Sequence, residues 1–374
     1  MLLDLGRFFR RFADVEAPNS PLYQSICRAV ADAPDVAGML NVAPEMERRP
    51  NLLLAAVHDI LLEQRQGEIR SPAEGALRPF YPTISAQPIP PGEEAGAAFV
   101  EFCRTARGEL EVLIATRTTQ TNEVGRSSLL WPVLSALSHD VDGLRLVEVG
   151  ASAGLNLLLD RWAYCDAEDR PLPGGDPMSP VRLRTRHLGA RPGDSTLKIA
   201  SRVGLDRSPI DVTDSDAARW LLACMWPDEL DRFRRTEAAV ALAAQTPSRL
   251  IRGDAVADLG LVTGGDTGGH LTIVTTWMLT YLEPAARSAF VALLDGLGAQ
   301  SDLTWVIAES PMYSPELPWP EGSPERSPKG ETLLVEVRYR DGARTVRTHA
   351  RAHPHGRWID WIATVMPDRP THAS

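Results

Sequence analysis

The chain has 374 residues, 44% hydrophobic and 24% charged, with 49 acidic against 39 basic residues and a formal net charge of -10. This composition suits a soluble globular protein with a sizeable core and excludes bulk disorder. The acidic balance advertises no basic face for nucleic acid or an anionic membrane, and the length corresponds to roughly two domains at about 150 residues each.

The segment Met1 to Ala13 is interrupted by Arg7, Arg10 and Arg11, so it lacks the apolar core of a secretory signal. Helices are predicted at Leu22 to Ala33, Asn51 to Gln66 and Ala95 to Thr116, where apolar residues recur at three and four spacing. Between the last two, Pro79 to Gly92 carries five prolines and reads as a surface connection or lid hinge. A helix Leu129 to Leu137 follows. From Leu144 the pattern changes to short apolar runs: Leu144 to Val149, Arg249 to Arg252, Leu271 to Thr276 and Leu303 to Ala308. Helical stretches fit between them at Leu155 to Ala163, Ser215 to Ala244 and Pro284 to Leu297. Gly264 to Gly269 and Ser310 to Gly330 read as loops, and Asp341-Gly342 joins a hairpin of Thr332 to Arg340 with Arg344 to Arg351. The expected architecture is α/β: a helical N-terminal cover over residues 1-118, then over 119-374 a Rossmann-like, mainly parallel sheet with a terminal antiparallel hairpin.

Cys27, Cys103, Cys165 and Cys224 form no C-x-x-C pair, no run approaches about 18 apolar residues, and no H-E-x-x-H spacing occurs. A cytoplasmic protein without a membrane span or a bound metal is expected.

The strongest local feature is the apolar strand Leu146-Val147-Glu148-Val149 running into Gly150-Ala151-Ser152-Ala153-Gly154 and then Leu155-Asn156. Three chemistries use such a turn. Acidic-x-Gly-x-x-x-Gly suits S-adenosylmethionine: Gly150 and Gly154 admit close backbone approach and Glu148 offers a carboxylate. The same letters are also G-x-S-x-G, the elbow that presents a hydrolase serine, with a triad order Ser152, Asp254, His353, although no oxyanion-hole segment such as H-G-G-G lies upstream. A dinucleotide site would need G-x-G-x-x-G, which is absent.

Around the turn, Gln120-Thr121-Asn122-Glu123-Val124-Gly125-Arg126 is dense in hydrogen-bonding side chains, readable as a binding segment or as an exposed linker. Asp254 and Ala255 follow a short strand at the sheet edge where open α/β folds bind ligands; Asp254 is equally suited to capping a helix. Thr276, Trp277 and Tyr281 end the next strand, where an aromatic ring either stacks on a base or packs in the core. Asp206 and Asp211 are candidates for a ribose contact or for salt bridges. Glu309 and His353-Pro354-His355 are candidates for substrate contact or base chemistry.

Gln120 to Arg126, Glu148 to Asp160, Arg202 to Pro209, Trp226-Pro227-Asp228 and Arg252 to Ala255 together resemble a bacterial family known only as a domain of unknown function, over nearly the whole chain. That family is similar in its core to class I S-adenosylmethionine-dependent methyltransferases. The resemblance implies Glu148, Gly150 and Gly154 at the cofactor turn, Asp254 near the adenine, and Thr276 with Trp277 at the floor of the reaction pocket. Two departures stand out: Ser152 replaces a frequent middle glycine, and the ribose acid, about 20 residues past the strand's carboxylate, falls at Asp166 to Asp169 in a loop. Asp206 or Asp211 is expected to serve in its place.

The reading is an S-adenosylmethionine-dependent methyltransferase acting on a small-molecule acceptor. Gln120, Asn122, Arg126, Glu148, Gly150, Ser152, Gly154, Asn156, Asp206, Asp254, Ala255, Thr276 and Trp277 would contact the cofactor, with Glu123, Glu309 and Tyr281 as candidate bases. Use of the same cofactor without methyl transfer, nucleoside binding without turnover, and the Ser152 hydrolase are the alternatives.

Overall fold

The computed structural model describes residues 4-191, 196-265, 268-320 and 330-362; parts of both predicted loops, residues 266-267 and 321-329, lie outside the described residues. The chain divides into two compact units, Met1–Thr121 with Ile210–Val240, and Asn122–Pro209 with Ala241–Ser374.

The first unit is helical. Its helix Pro21–Ala31 starts where Pro21 supplies a preset φ and the Ser20 hydroxyl accepts the Tyr23 N–H at 3.2 Å, a cap contributing about 1 kcal/mol. Leu22, Tyr23, Ile26, Cys27 and Val30 then share one face and are buried, with Leu53, Val57 and Ile60 of Pro50–Glu63 in the same core. Two predicted helices are broken. Ala95 to Thr116 is Glu93–Thr105 followed by Arg107–Thr116, and Ser215 to Ala244 is Ser215–Ala223 followed by Leu230–Gln245. In the second case Pro227, in the gap, cannot donate a helical hydrogen bond.

The second unit is built on a nine-stranded sheet. In chain order its strands, with those of a small side sheet, are β1 Leu144–Val149, β2 Ala163–Cys165, β3 Pro171–Gly175, β4 Arg182–Arg184, β5 Arg186–Leu188, β6 Ile199–Asp206, β7 Arg249–Arg252, β8 His270–Thr276, β9 Leu303–Glu309, β10 Thr332–Arg340, β11 Ala343–Ala352 and β12 Trp358–Trp361. The order across the main sheet is β5-β12-β11-β10-β9-β8-β1-β6-β7, and β3-β2-β4 form the side sheet. The five strands β7-β6-β1-β8-β9 are parallel. Ranked by position in the chain they run 3-2-1-4-5, so connection order reverses between β1 and β8. The expected hairpin is β10 and β11, turned at Asp341 and Gly342 with φ of 51° and 75°.

All residues of β1 and β9 are buried, as befits parallel strands covered on both faces. On one face Val147, Ile273, Trp305, Ile307 and Val335 pack with Phe290 and Leu294 of the helix Pro284–Gly298. Loss of the Phe290 ring would cost about 3 to 5 kcal/mol. The chain after the glycine turn is 3-10 geometry at Leu155–Arg161, kinked at Leu158, where a regular helix to Ala163 was predicted. Strand β6 was missed because Ser201 and Arg202 interrupt its apolar run; the Arg202 guanidinium is neutralised by Asp160 at 2.7 and 2.9 Å.

Candidate functional site

Beyond the carboxyl end of β1 the chain turns with positive φ at Gly150 (79°), Ser152 (52°) and Gly154 (68°). Gly150 N–H and Ala151 N–H donate to the Leu205 carbonyl at 2.8 and 3.3 Å, tying the turn to β6. The acid that ends β6 completes the tie: Asp206 Oδ2 accepts the Ser152 N–H at 2.8 Å and Oδ1 accepts the Ser208 N–H at 2.8 Å. From the other side Asn122 clasps the turn, its Nδ2 donating to the Ala151 carbonyl at 3.0 Å and its Oδ1 accepting the Leu155 N–H at 3.2 Å. Gly150 is required twice over, by its left-handed backbone and because a Cβ there would overlap the side chain of Met278.

The opposite lip follows β8. Trp277 has φ of 53°, a conformation that a bulky residue holds only when its surroundings enforce it. Those surroundings are the Ala308 carbonyl, which accepts the Trp277 N–H at 3.0 Å, and the Thr332 hydroxyl, which accepts from the indole at 2.6 Å. Glu309, at the end of β9, fixes the next residues, its Oε1 accepting the N–H groups of Met278 at 2.9 Å and Leu279 at 3.2 Å. Two strained residues, Ser152 and Trp277, thus flank the point where the strand order reverses. There a cleft of about 140 Å³ opens, lined among others by Gly150, Leu205, Asp206, Gly253, Met278 and Tyr281.

Behind the cleft lies a buried polar network. The Ser127 hydroxyl donates to Asn156 Oδ1 at 3.0 Å, and Asn156 Nδ2 donates to Glu148 Oε1 at 3.2 Å. The Oε2 atoms of Glu148 and Glu309 are buried without a hydrogen-bond partner among the described residues. Burial pushes Glu148 up to about 8 and Glu309 up to about 7, against the opposing pull of their hydrogen bonds and of the Arg126 charge. Arg126, itself buried, donates to the carbonyls of Thr276 at 3.0 Å and Pro354 at 3.2 Å. Glu123 caps Gly125 N–H at 2.9 Å and lies 3.2 Å from His355 Nδ1.

Of the residues singled out in the sequence, the structure brings Gly150, Asp206, Ala255 and Tyr281 to the cleft wall. Asn122, Ser152 and Gly154 form the turn, and Arg126, Glu148, Asn156, Thr276 and Glu309 lie in or against the buried network. Glu123 and Glu309, proposed as bases, hold backbone N–H groups, whereas Tyr281 is 74% exposed. Asp254 caps the next turn through Val256 N–H at 2.9 Å and Ala257 N–H at 3.1 Å and pairs with Arg207 at 2.9 Å; the Ala257 and Val256 bonds, and after them Arg207, keep its carboxyl below the usual range. His353 Nδ1 accepts the His355 N–H at 3.0 Å. Gln120 and Asp211 belong to the helical unit. Asp169 sits beside Arg182 and Arg184 in the side sheet, held down to about 2 by the Arg184 bond, so of the acids weighed for a ribose only Asp206 borders the cleft. Sequence reasoning missed Met278; the only signal was its place directly after the β8 run.

Fold and site together define an open, mainly parallel α/β protein with a strained cleft at its topological switch point, the place where such sheets bind ligands. Residues 7–361 match the family described as "Uncharacterized protein conserved in bacteria" (DUF2332), and the chain belongs to it. No curated protein and no solved structure matches the chain. Among the described residues, no helix is long and apolar enough to cross a membrane and no group of three or more His, Cys, Asp or Glu is arranged for a metal ion.

Proposed function

We propose that the chain is an S-adenosylmethionine-dependent methyltransferase acting on a small molecule. The observation that carries this reading is the Glu148-x-Gly150-x-x-x-Gly154 turn at the switch point of a 3-2-1-4-5 parallel array, with an acid, Asp206, at the end of the neighbouring strand. The residues present suit an adenosyl ligand. Asp206 accepts two N–H bonds and retains lone pairs for a hydroxyl. Gly150 lines the cleft in which such a ligand would lie.

The bound cofactor would supply a methyl group on an electrophilic sulfonium. Because that group needs little activation, the work left to this chain is to align and to exclude water. Asn122 and Asp206 hold the turn, Glu309 holds the segment after Trp277, and Tyr281 is an exposed side chain at the cleft where an acceptor would enter. Calorimetric titration with S-adenosylhomocysteine tests the reading, with NAD as control. Micromolar binding, about -8 kcal/mol, that is lost in Gly150→Val is expected; no heat at millimolar ligand overturns it.

A second reading rests on Ser152, whose φ of 52° on a strand-to-turn segment is the strained placement of a nucleophile elbow. Its main-chain N–H is engaged by Asp206 and the serine is 5% exposed. Hydrolysis of an activated ester that disappears in Ser152→Ala would favour this reading over the first.

A further inference from the structure

The connection from β11 to β12 is pinned to the segment that clasps the glycine turn. A Cβ on Gly125 would overlap the His355 carbonyl, and one on Gly356 the Gly125 carbonyl, so glycine at both positions lets the two backbones touch. Arg126 Nε donates to the Pro354 carbonyl at 3.2 Å, and the Thr185 hydroxyl to the Gly356 carbonyl at 2.9 Å. Within the loop, His355 N–H donates to His353 Nδ1 at 3.0 Å and Gly356 N–H to the His353 carbonyl at 2.9 Å. What these bonds fix is the place of the His355 ring. Its Nδ1 is buried and lies 3.2 Å from Oε2 of Glu123, a fully buried carboxylate whose other oxygen holds Gly125 N–H at 2.9 Å.

A ring nitrogen at that distance from a buried carboxylate oxygen carries its proton there, since two lone pairs would repel. The neutral ring then has its basic lone pair on Nε2, and a proton gained at Nε2 makes an imidazolium beside a carboxylate. The side chain is 30% exposed although Nδ1 is not, so its exposure belongs to the remainder of the side chain. This is the arrangement of a base and the acid that orients it. The ties that hold it run to both lips of the switch point. Glu123 follows Asn122, which clasps Ala151 and Leu155, and Arg126 bonds Thr276, the residue before Trp277.

We propose that His355 is the general base of this protein, with Glu123 as its positioning residue, and that the acceptor is a small molecule bearing a hydroxyl or a thiol. For its reaction this rests on the methyltransferase reading above. The acceptor's oxygen or sulfur bonds to the methyl carbon, the electron pair of the breaking carbon–sulfur bond stays with the departing sulfur, and the acceptor's proton passes to His355 Nε2.

The first measurement needs neither cofactor nor acceptor. In protein labelled with 15N-histidine, long-range 1H–15N spectra at alkaline pH report which ring nitrogen carries the proton, and His355→Gln assigns its signals among the eight histidines. Wild-type His355 is expected to be protonated on Nδ1. In Glu123→Gln the side-chain carbonyl still accepts Gly125 N–H, the amide NH2 then faces Nδ1, and the ring is expected to turn to the Nε2–H tautomer. A wild-type ring protonated on Nε2, or a tautomer unmoved by Glu123→Gln, overturns the proposal. Diethyl pyrocarbonate, which acylates a neutral imidazole nitrogen, probes access: modification of His355 is expected by peptide mass spectrometry, and acylation of other histidines with His355 left intact overturns the proposal.

The second measurement follows S-adenosylhomocysteine formed from S-adenosylmethionine and a small-molecule extract of bacterial cells. His355→Gln is expected to lower the rate by about a hundredfold or more, while S-adenosylhomocysteine binding changes less than about twofold. Equal rates overturn the base. If wild type forms no product, it is the methyltransferase reading that fails, and the spectra and the acylation still decide whether His355 is a base held by Glu123.

Discussion

Asp206 Oδ2 accepts the Ser152 N–H at 2.8 Å, so the last side chain of one strand holds the strained turn that leaves its neighbour. The same carboxylate holds Ser208 N–H through its other oxygen at 2.8 Å. A carboxylate bond to an N–H contributes about 1.5 to 3 kcal/mol. Asp206→Ala is therefore expected to lower unfolding free energy by roughly 3 kcal/mol, read by urea denaturation, and to abolish S-adenosylhomocysteine binding. Unchanged stability would mean that the turn stands without its strap.

Glu148 makes stability depend on pH. Its folded value is about 8 against an ordinary 4.5, because burial disfavours the charge. Across that interval the folded state holds a proton that the unfolded state has released, so stability falls as pH rises from 4.5 to about 8 and falls no further from this group above it. Glu309, raised to about 7, adds a loss that is complete sooner. Denaturation of wild type and Glu148→Gln at pH 5, 7 and 9 should show a shallower decline in the variant. Parallel declines would count against the protonated state.

Glu309 holds Met278 and Leu279 through one oxygen, a bond that a glutamine carbonyl can reproduce. Glu309→Gln should keep wild-type thermal stability at neutral pH. Glu309→Ala should lose about 3 kcal/mol together with ligand affinity. A glutamine variant as damaged as the alanine variant would show that the charge, and not the cap, is what the turn needs.

In the helical unit Asp59 is 4% exposed and is balanced by Arg219 at 3.0 Å. Removing one member of a buried pair costs about 3 to 5 kcal/mol. Arg219→Ala should destabilise by about 3 kcal/mol, and Asp59→Asn added to it should recover part of the loss. An additive double variant would show that the two side chains act independently.

Strand β1 was legible because its burial is continuous, and β7, although its ends are exposed, was legible from its short apolar run. Leu144 to Val149 is apolar throughout except Arg145 and Glu148 and stands in the sheet with the predicted bounds. Strand β6 was hidden because its polar side chains find partners elsewhere in the fold, and the break near Pro227 was overlooked although proline announced it. At the site, spacing revealed the glycine turn, whereas for the ribose acid it pointed to Asp166 to Asp169, with Asp206 or Asp211 as the substitutes. It did not reveal that Glu123, Asn122 and Glu309 bond to main-chain N–H groups, since those partners exist only once the turns have formed. Nor does a string of letters display the left-handed Trp277, which owes its conformation to Ala308 and Thr332.

The helical unit is written in two instalments, Met1–Thr121 and Ile210–Val240, with β1 and β6 encoded between them. No single cut of the chain yields either unit intact. During synthesis, when N-terminal domains ordinarily fold first, the opening helices emerge long before Trp220, a member of their core. The unit that starts first is therefore finished only after the first strand of the other has left the ribosome.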